Sequence, residues 1–204
     1  MKTLLALILL ALPLVAATPY PLGWKSSPHG VKAPSLATHP KFAAAPLPTS
    51  ATVRERFYFT NQQTLGACTA FAGLEALDAE YKKQTGSFVK PSFLDLYQQE
   101  LKYDGTYPQD AGSYTTTIIK VLTTSKVCPE SKWPYLTSNL GVSPPACAVA
   151  ARAYYSTKAY SIANNDNGAA VRQAIANVKV PVLVGTLWYQ NGFTAKYDSA
   201  SGKY

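Results

Sequence analysis

The stretch Asn61-Gln62-Gln63-Thr64-Leu65-Gly66-Ala67-Cys68-Thr69-Ala70-Phe71-Ala72 decides how the rest of the chain is read. Before Gly66 it is largely polar. From Ala67 onward it is small and apolar, and Phe71, Leu74 and Tyr81 fall on one side of a helix. Cys68 therefore stands where an irregular loop becomes a helix. A thiol at that point faces backbone N–H groups that have no partner within the helix, and the positive end of the helix dipole. Both favour a thiolate and lower the thiol pKa. The Cys68 N–H and the side-chain amide of Gln62 make a pair of donors suited to an oxyanion. Gly66 would let the backbone turn tightly just ahead of the thiol. A cysteine at a helix start is, taken alone, an ordinary small buried residue; its neighbours give it a chemical reading.

Working outward, the spacing predicts a helix over residues 68–84, stopped by Gly86. Ser92 can cap a second helix that turns Phe93, Leu96 and Tyr97 inward. A third is expected over residues 114–123, around Ile118, Ile119 and Val121. A fourth, over residues 169–177, leads into Val180-Pro181-Val182-Leu183-Val184, a short β-branched run expected as a buried strand. Residues 154–162 are expected as another strand. Helices first and strands later indicate an α+β protein with a segregated helical half.

The N-terminal third reads differently. Residues 1–17, with Lys2, an apolar run over residues 4–15 and the small residues Val15-Ala16-Ala17, are expected to be a secretory signal peptide, the alternative being a retained anchor. Residues 18–50 are broken by Pro19, Pro21, Pro28, Pro34, Pro40, Pro46 and Pro48, and read as a linker or a short prosegment. Residues 51–135 are then expected as a helical lobe containing Cys68, and residues 136–204 as a partial β lobe. The expected location is secreted or otherwise exported, with no stable membrane association after signal cleavage.

Composition narrows the classes. With 12% aromatic and only 15% charged residues, the chain is not a disordered one. Its three cysteines are too few for a disulfide-dense scaffold, and they come with no metal-ligand spacing. The net charge of +8 does not imply nucleic acid, because the basic residues are scattered and Lys82-Lys83 is the only adjacent basic pair. No cofactor and no metal are expected.

The segment Leu65-Gly66-Ala67-Cys68-Thr69-Ala70 resembles the active-site segment of the papain-like cysteine peptidases. It is most similar to their microbial and viral branch, in which the pattern is of a Leu-Gly-Ser-Cys-Thr-Ala type. The resemblance continues in order. Pro46-Leu47-Pro48 with Arg54 is similar to the entry into the mature domain, and Pro91-Ser92-Phe93-Leu94-Asp95-Leu96-Tyr97 to the family's second helix. Asp110-Ala111-Gly112-Ser113 is similar to the loop before the third helix. Val127-Cys128-Pro129-Glu130 with Lys132-Trp133-Pro134-Tyr135 resembles the Gly-x-x-x-Glu-x-x-Tyr-Pro-Tyr region, and Val180-Pro181-Val182 with Phe193 resembles the Pro-Val strand and the Phe beyond it.

The resemblance implies a two-lobed papain-like fold, with a helical N-terminal lobe and an incomplete antiparallel β lobe. It implies an endopeptidase acting on peptides or proteins through a Cys68 thioester, with Gln62 as oxyanion donor. Gly112 would offer backbone hydrogen bonds to an extended peptide, with Ser113 and Gly66 in the same substrate-binding set. The Gly112-Ser113 pair also reads as a helix-start turn capped by Ser113. Two positions depart from the pattern: Leu65 stands where the family usually has a cysteine, so its usual disulfide in this loop is absent, and Thr69 replaces a common aromatic. Cys128 and Cys147 are then the remaining pair, either a disulfide closing a loop of about 20 residues and contributing ~3 kcal/mol, or two unpaired thiols.

A thiol peptidase needs a base. In this family it is a His oriented by an Asn, roughly 130–150 residues after the nucleophile. The chain has only His29 and His39, both upstream of Cys68. The expectation is therefore a sequence cut just before its catalytic His and inactive as an isolated chain. Two other functions share these features: a non-catalytic homologue that binds peptides or proteins in the same groove, and an acyltransferase or amidase using the same acyl-enzyme chemistry.

Overall fold

The computed structural model describes residues 24–25, 33–42, 46–47, 49–56, 60–156, 158–162 and 168–184. The expected signal peptide, Phe193 and all residues after 184 lie outside that set.

Three helices build the core. Helix α1 is Cys68–Thr85, α2 is Phe93–Tyr103 and α3 is Thr115–Thr124. α1 and α3 agree with the expected spans to within a residue, and α2 begins directly after the expected cap Ser92. α1 ends because Gly86 adopts the left-handed conformation (φ 80°) and returns its N–H to the Lys82 carbonyl at 2.9 Å. α2 begins because the Ser92 hydroxyl accepts the Asp95 N–H at 3.1 Å. Leu74 of α1, Leu94, Leu96, Tyr97 and Leu101 of α2, and Ile118 of α3 are fully buried. α1 and α3 approach closely at Gly73, where a Cβ would lie 2.5 Å from Ile118 Cγ1.

The β content is small. Trp24–Lys25 (β1) pairs in parallel with Ser113–Tyr114 (β2). Elsewhere the chain is joined by isolated bridges. Val127 and Tyr154 exchange backbone hydrogen bonds at 2.8 and 3.1 Å, and Ser161 bridges to Ser35. The strands expected over residues 154–162 and 180–184 are therefore not ladders among the described residues. β-branched composition favours extended backbone, but a strand exists only where a partner lies alongside. The architecture is α+β, with the three long helices all ahead of residue 125 and only short helical turns after it.

The expected helix over residues 169–177 divides. Ala169–Gln173 (α5) is regular, and Ala174–Val178 widens into a π-type turn. It ends at Lys179 in the left-handed conformation (φ 58°). The Lys179 carbonyl accepts the Arg56 guanidinium at 2.8 Å and the Lys83 ammonium at 3.1 Å, which ties this turn to α1. A short helix, Ala146–Ala150 (α4), was not anticipated.

Part of the Pro-rich segment is tied to the later half of the chain. Leu36, only 2% exposed, donates its N–H to the Ser161 carbonyl at 2.8 Å, and the Asn177 amide donates to the Phe42 carbonyl at 3.2 Å. Among the described residues, no helix is long and apolar enough to cross a membrane.

Candidate active site

Cys68 is the first residue of α1, half-buried and not in a disulfide. The residue before it, Ala67, supplies no side-chain cap. α1 is 18 residues long, enough for its dipole to act at the thiol.

The loop ahead of it is shaped by its own side chains. Asn61 Oδ1 accepts the Gln63 N–H at 2.7 Å, and Gln63 takes the positive φ of 54°. Gly66 does not have a positive φ, which corrects the role expected for it. Gly66 is instead buried, and its N–H reaches both carboxylate oxygens of Asp110, at 2.9 and 3.1 Å. Gln62 is half-buried, and its Nε2 donates to the Leu65 carbonyl at 3.1 Å. That amide has two N–H groups, so one serves the loop and the second is chemically suited to an oxyanion. The Gln62 carbonyl in turn accepts the Tyr135 hydroxyl at 2.7 Å.

Gly112 and Ser113 are both buried. Gly112 has φ 67° and donates its N–H to the Tyr97 hydroxyl oxygen at 3.1 Å, so that N–H is not offered to a peptide here. Ser113 is not a helix cap. Its hydroxyl donates to Asp104 at 2.8 Å, its backbone pairs with Trp24, and α3 starts at Tyr114 without a side-chain cap. The Cys128–Cys147 disulfide is not formed. Cys128 is buried and Cys147 is exposed, which places them in different environments, and both are free. Burial, with the negative charge of Asp95 second, pushes the Cys128 thiol up to about 12.

A set of polar groups that the sequence reading missed lies behind Cys68. Glu100 of α2 is fully buried, and its Oε2 accepts the hydroxyl of Thr69, the residue after Cys68, at 2.6 Å. Burial pushes Glu100 up to about 8, against the opposing hydrogen bonds of Thr69 and Ser113. Tyr97 donates its hydroxyl to Asp110, and burial raises its pKa well beyond that of an ordinary phenol. The signal for Glu100 was its place three residues after Tyr97, on the same inward face of α2. Asp110 carried no periodicity at all, because it lies in a loop.

Beside the nucleophile loop is a cavity of about 480 Å³, lined among others by Asn61, Gln63, Phe71, Phe93, Glu130 and Tyr135. Phe71 stacks on Phe93 at 4.2 Å between ring centroids and meets Tyr135 edge-on at 4.8 Å. Of the two histidines, His39 is described. Its ring packs against Tyr160 at 5.6 Å and its Nδ1 accepts the Lys41 N–H at 3.2 Å. The described residues contain no group of three or more His, Cys, Asp or Glu able to hold a metal ion.

No family model matches the chain. It is 35% identical over 86 residues to an uncharacterized peptidase C1-like protein of Acanthamoeba polyphaga mimivirus, covering 42% of this chain and 28% of that protein. Its fold is similar to that of xylellain, a cysteine protease from Xylella fastidiosa, with a TM-score of 0.66 at 23% identity. That match covers 76% of this chain and 62% of xylellain. It is also similar to digestive procathepsin L 3 of Tenebrio molitor, with a TM-score of 0.51 at 17% identity over 65% of this chain and 42% of that one. The chain thus has the papain-like cysteine protease fold, and it spans less than two thirds of each of these relatives.

Proposed function

We propose that the protein is a cysteine endopeptidase that hydrolyses peptide bonds through a thioester on Cys68. The observation that carries this reading is the position of Cys68. It is a half-buried thiol, in no disulfide, at the start of an 18-residue helix whose N-cap residue makes no side-chain cap, and the Gln62 amide is held in the loop just ahead of it. The thiolate attacks the scissile carbonyl, and the oxyanion that forms takes hydrogen bonds from the Cys68 N–H and the second Gln62 N–H. A base must accept the thiol proton and return it to the leaving amine. The proposal gives that role to neither His29 nor His39, since His39 is engaged with Tyr160 and Lys41.

The substrate is a peptide or protein, the product is exported, and residues 18–50 act as a short prosegment. The pairing of Trp24–Lys25 with Ser113–Tyr114 supports that last point, as do the ties from Leu36 to Ser161 and from Phe42 to Asn177. The experiment is turnover of fluorogenic peptides by the full gene product and its Cys68→Ala variant. Activity in the wild type that disappears in the variant is expected. Equal activity in both would remove Cys68 from the mechanism. Sequencing the N-terminus of the mature protein tests export and processing together.

A further inference from the structure

Leu65, Gly66 and Ala67 are buried ahead of Cys68, yet their loop has no covalent tie, since none of the three cysteines is in a disulfide. What fastens it is polar. The Asp110 carboxylate accepts the Gly66 N–H with both oxygens, at 2.9 and 3.1 Å. The same Oδ1 accepts the hydroxyl proton of Tyr97, a fully buried residue of α2. The Tyr97 oxygen then accepts the Gly112 N–H at 3.1 Å. One carboxylate and one phenol thereby join three segments: the nucleophile loop, α2 and the loop of residues 110–112.

Charge-assisted hydrogen bonds of this kind are about twice as strong as neutral ones, and here Gly66 and Tyr97 are buried while Asp110 is half-buried. Burial and the neighbouring carboxylate keep the Tyr97 phenol protonated throughout the usual working range of pH, so it remains a donor. Gly66 is two residues before Cys68. Any looseness at Gly66 is passed directly to the Cys68 N–H and to the direction of the thiol.

We propose that Asp110 and Tyr97 are positioning residues: a half-buried polar latch that fixes the loop before Cys68 to the loop carrying Gly112. It does the mechanical work that a disulfide in this loop would do, without an oxidation requirement. The consequence for catalysis rests on the reading of Cys68 as nucleophile; the latch itself does not.

The variants are Tyr97→Phe and Asp110→Asn in the full gene product. Tyr97→Phe is the informative one, because it keeps the carboxylate charge and removes only the link. Three readouts separate the outcomes. Amide hydrogen exchange at Gly66 should rise roughly tenfold in both variants, the effect of losing one charge-assisted bond. The rate at which iodoacetamide alkylates Cys68, read by peptide mass spectrometry, should change in both variants while that of Cys147 does not. Peptidase kcat should fall roughly tenfold or more, with KM held within about threefold.

Unchanged exchange at Gly66 in both variants overturns the latch. Faster exchange with wild-type kcat and wild-type Cys68 alkylation overturns its positioning role. If the wild type hydrolyses no peptide, the reading of Cys68 as nucleophile fails, and exchange with alkylation still decides the latch. Circular dichroism of each variant checks that the helices are intact. Should Tyr97→Phe fail to fold, Asp110→Asn carries the same three readouts.

Discussion

Glu100 makes a strong statement about how stability varies with pH. Its side chain is fully buried behind Cys68, hydrogen-bonded to Thr69, with Asp104 one turn away on the same helix. Burial raises it from its ordinary value of 4.5 to about 8. Between those two values the folded chain holds a proton that the unfolded chain releases. The stability this contributes is therefore complete below about 4.5 and is lost as pH rises through about 8. At 1.36 kcal/mol per pH unit, the interval from 4.5 to about 8 amounts to at most on the order of 5 kcal/mol. Replacing Glu100 by Gln removes the titration and leaves an uncharged group of nearly the same shape. The assay is urea denaturation of wild type and Glu100→Gln at pH 5, 6, 7, 8 and 9. At pH 5 the two should agree within about 1 kcal/mol. At pH 9 the variant should be the more stable by several kcal/mol, with the wild-type curve sloping downward between. The groups that face Glu100 are Thr69, Ser113, Tyr97 and Asp104, and the two ionisable ones among them remain in both proteins. Parallel curves across the whole range would refute the reasoning.

Three further outcomes are expected. Gly73→Ala drives a Cβ to 2.5 Å from Ile118 Cγ1 and 2.7 Å from its Cδ1, and should cost about 1–3 kcal/mol in a denaturation curve; adding Ile118→Val should recover part of that loss. Arg152 donates to Asp95 at 2.6 and 3.1 Å, and the Asp95 side chain is 1% exposed, so Arg152→Ala leaves a buried carboxylate short of its partner and should cost about 3 kcal/mol; a loss below about 0.5 kcal/mol would count against it. In the folded protein iodoacetamide should label the exposed Cys147 readily and leave Cys128 unmodified until urea is added, because Cys128 is buried and its thiol is pushed up to about 12.

The sequence alone determined the elements whose signals are local. The stop of α1 at Gly86, the start of α2 at Ser92 and the span of α3 follow from local capping residues and a helical apolar period, none of which needs a distant partner. It also placed Cys68 at a loop-to-helix junction, since that junction is a change of composition along the chain. Tertiary structure decided what depends on residues far apart. Residues 154–162 and 180–184 have strand-like composition, yet ladders need a neighbour, and composition does not reveal one. The helix expected over residues 169–177 yields to a π-type turn because the Lys179 carbonyl is drawn to Arg56 and Lys83. The sequence suggests a tight turn at Gly66, while its function in the fold is a bare N–H for a carboxylate 44 residues away. Tyr97 was read as an apolar core residue, and its face is indeed inward; that its hydroxyl finds Asp110 and Gly112 there is a fact of packing. Period and capping fix which way a side chain points. Which buried polar group it meets is fixed only when the helices close on one another and every buried donor must find an acceptor.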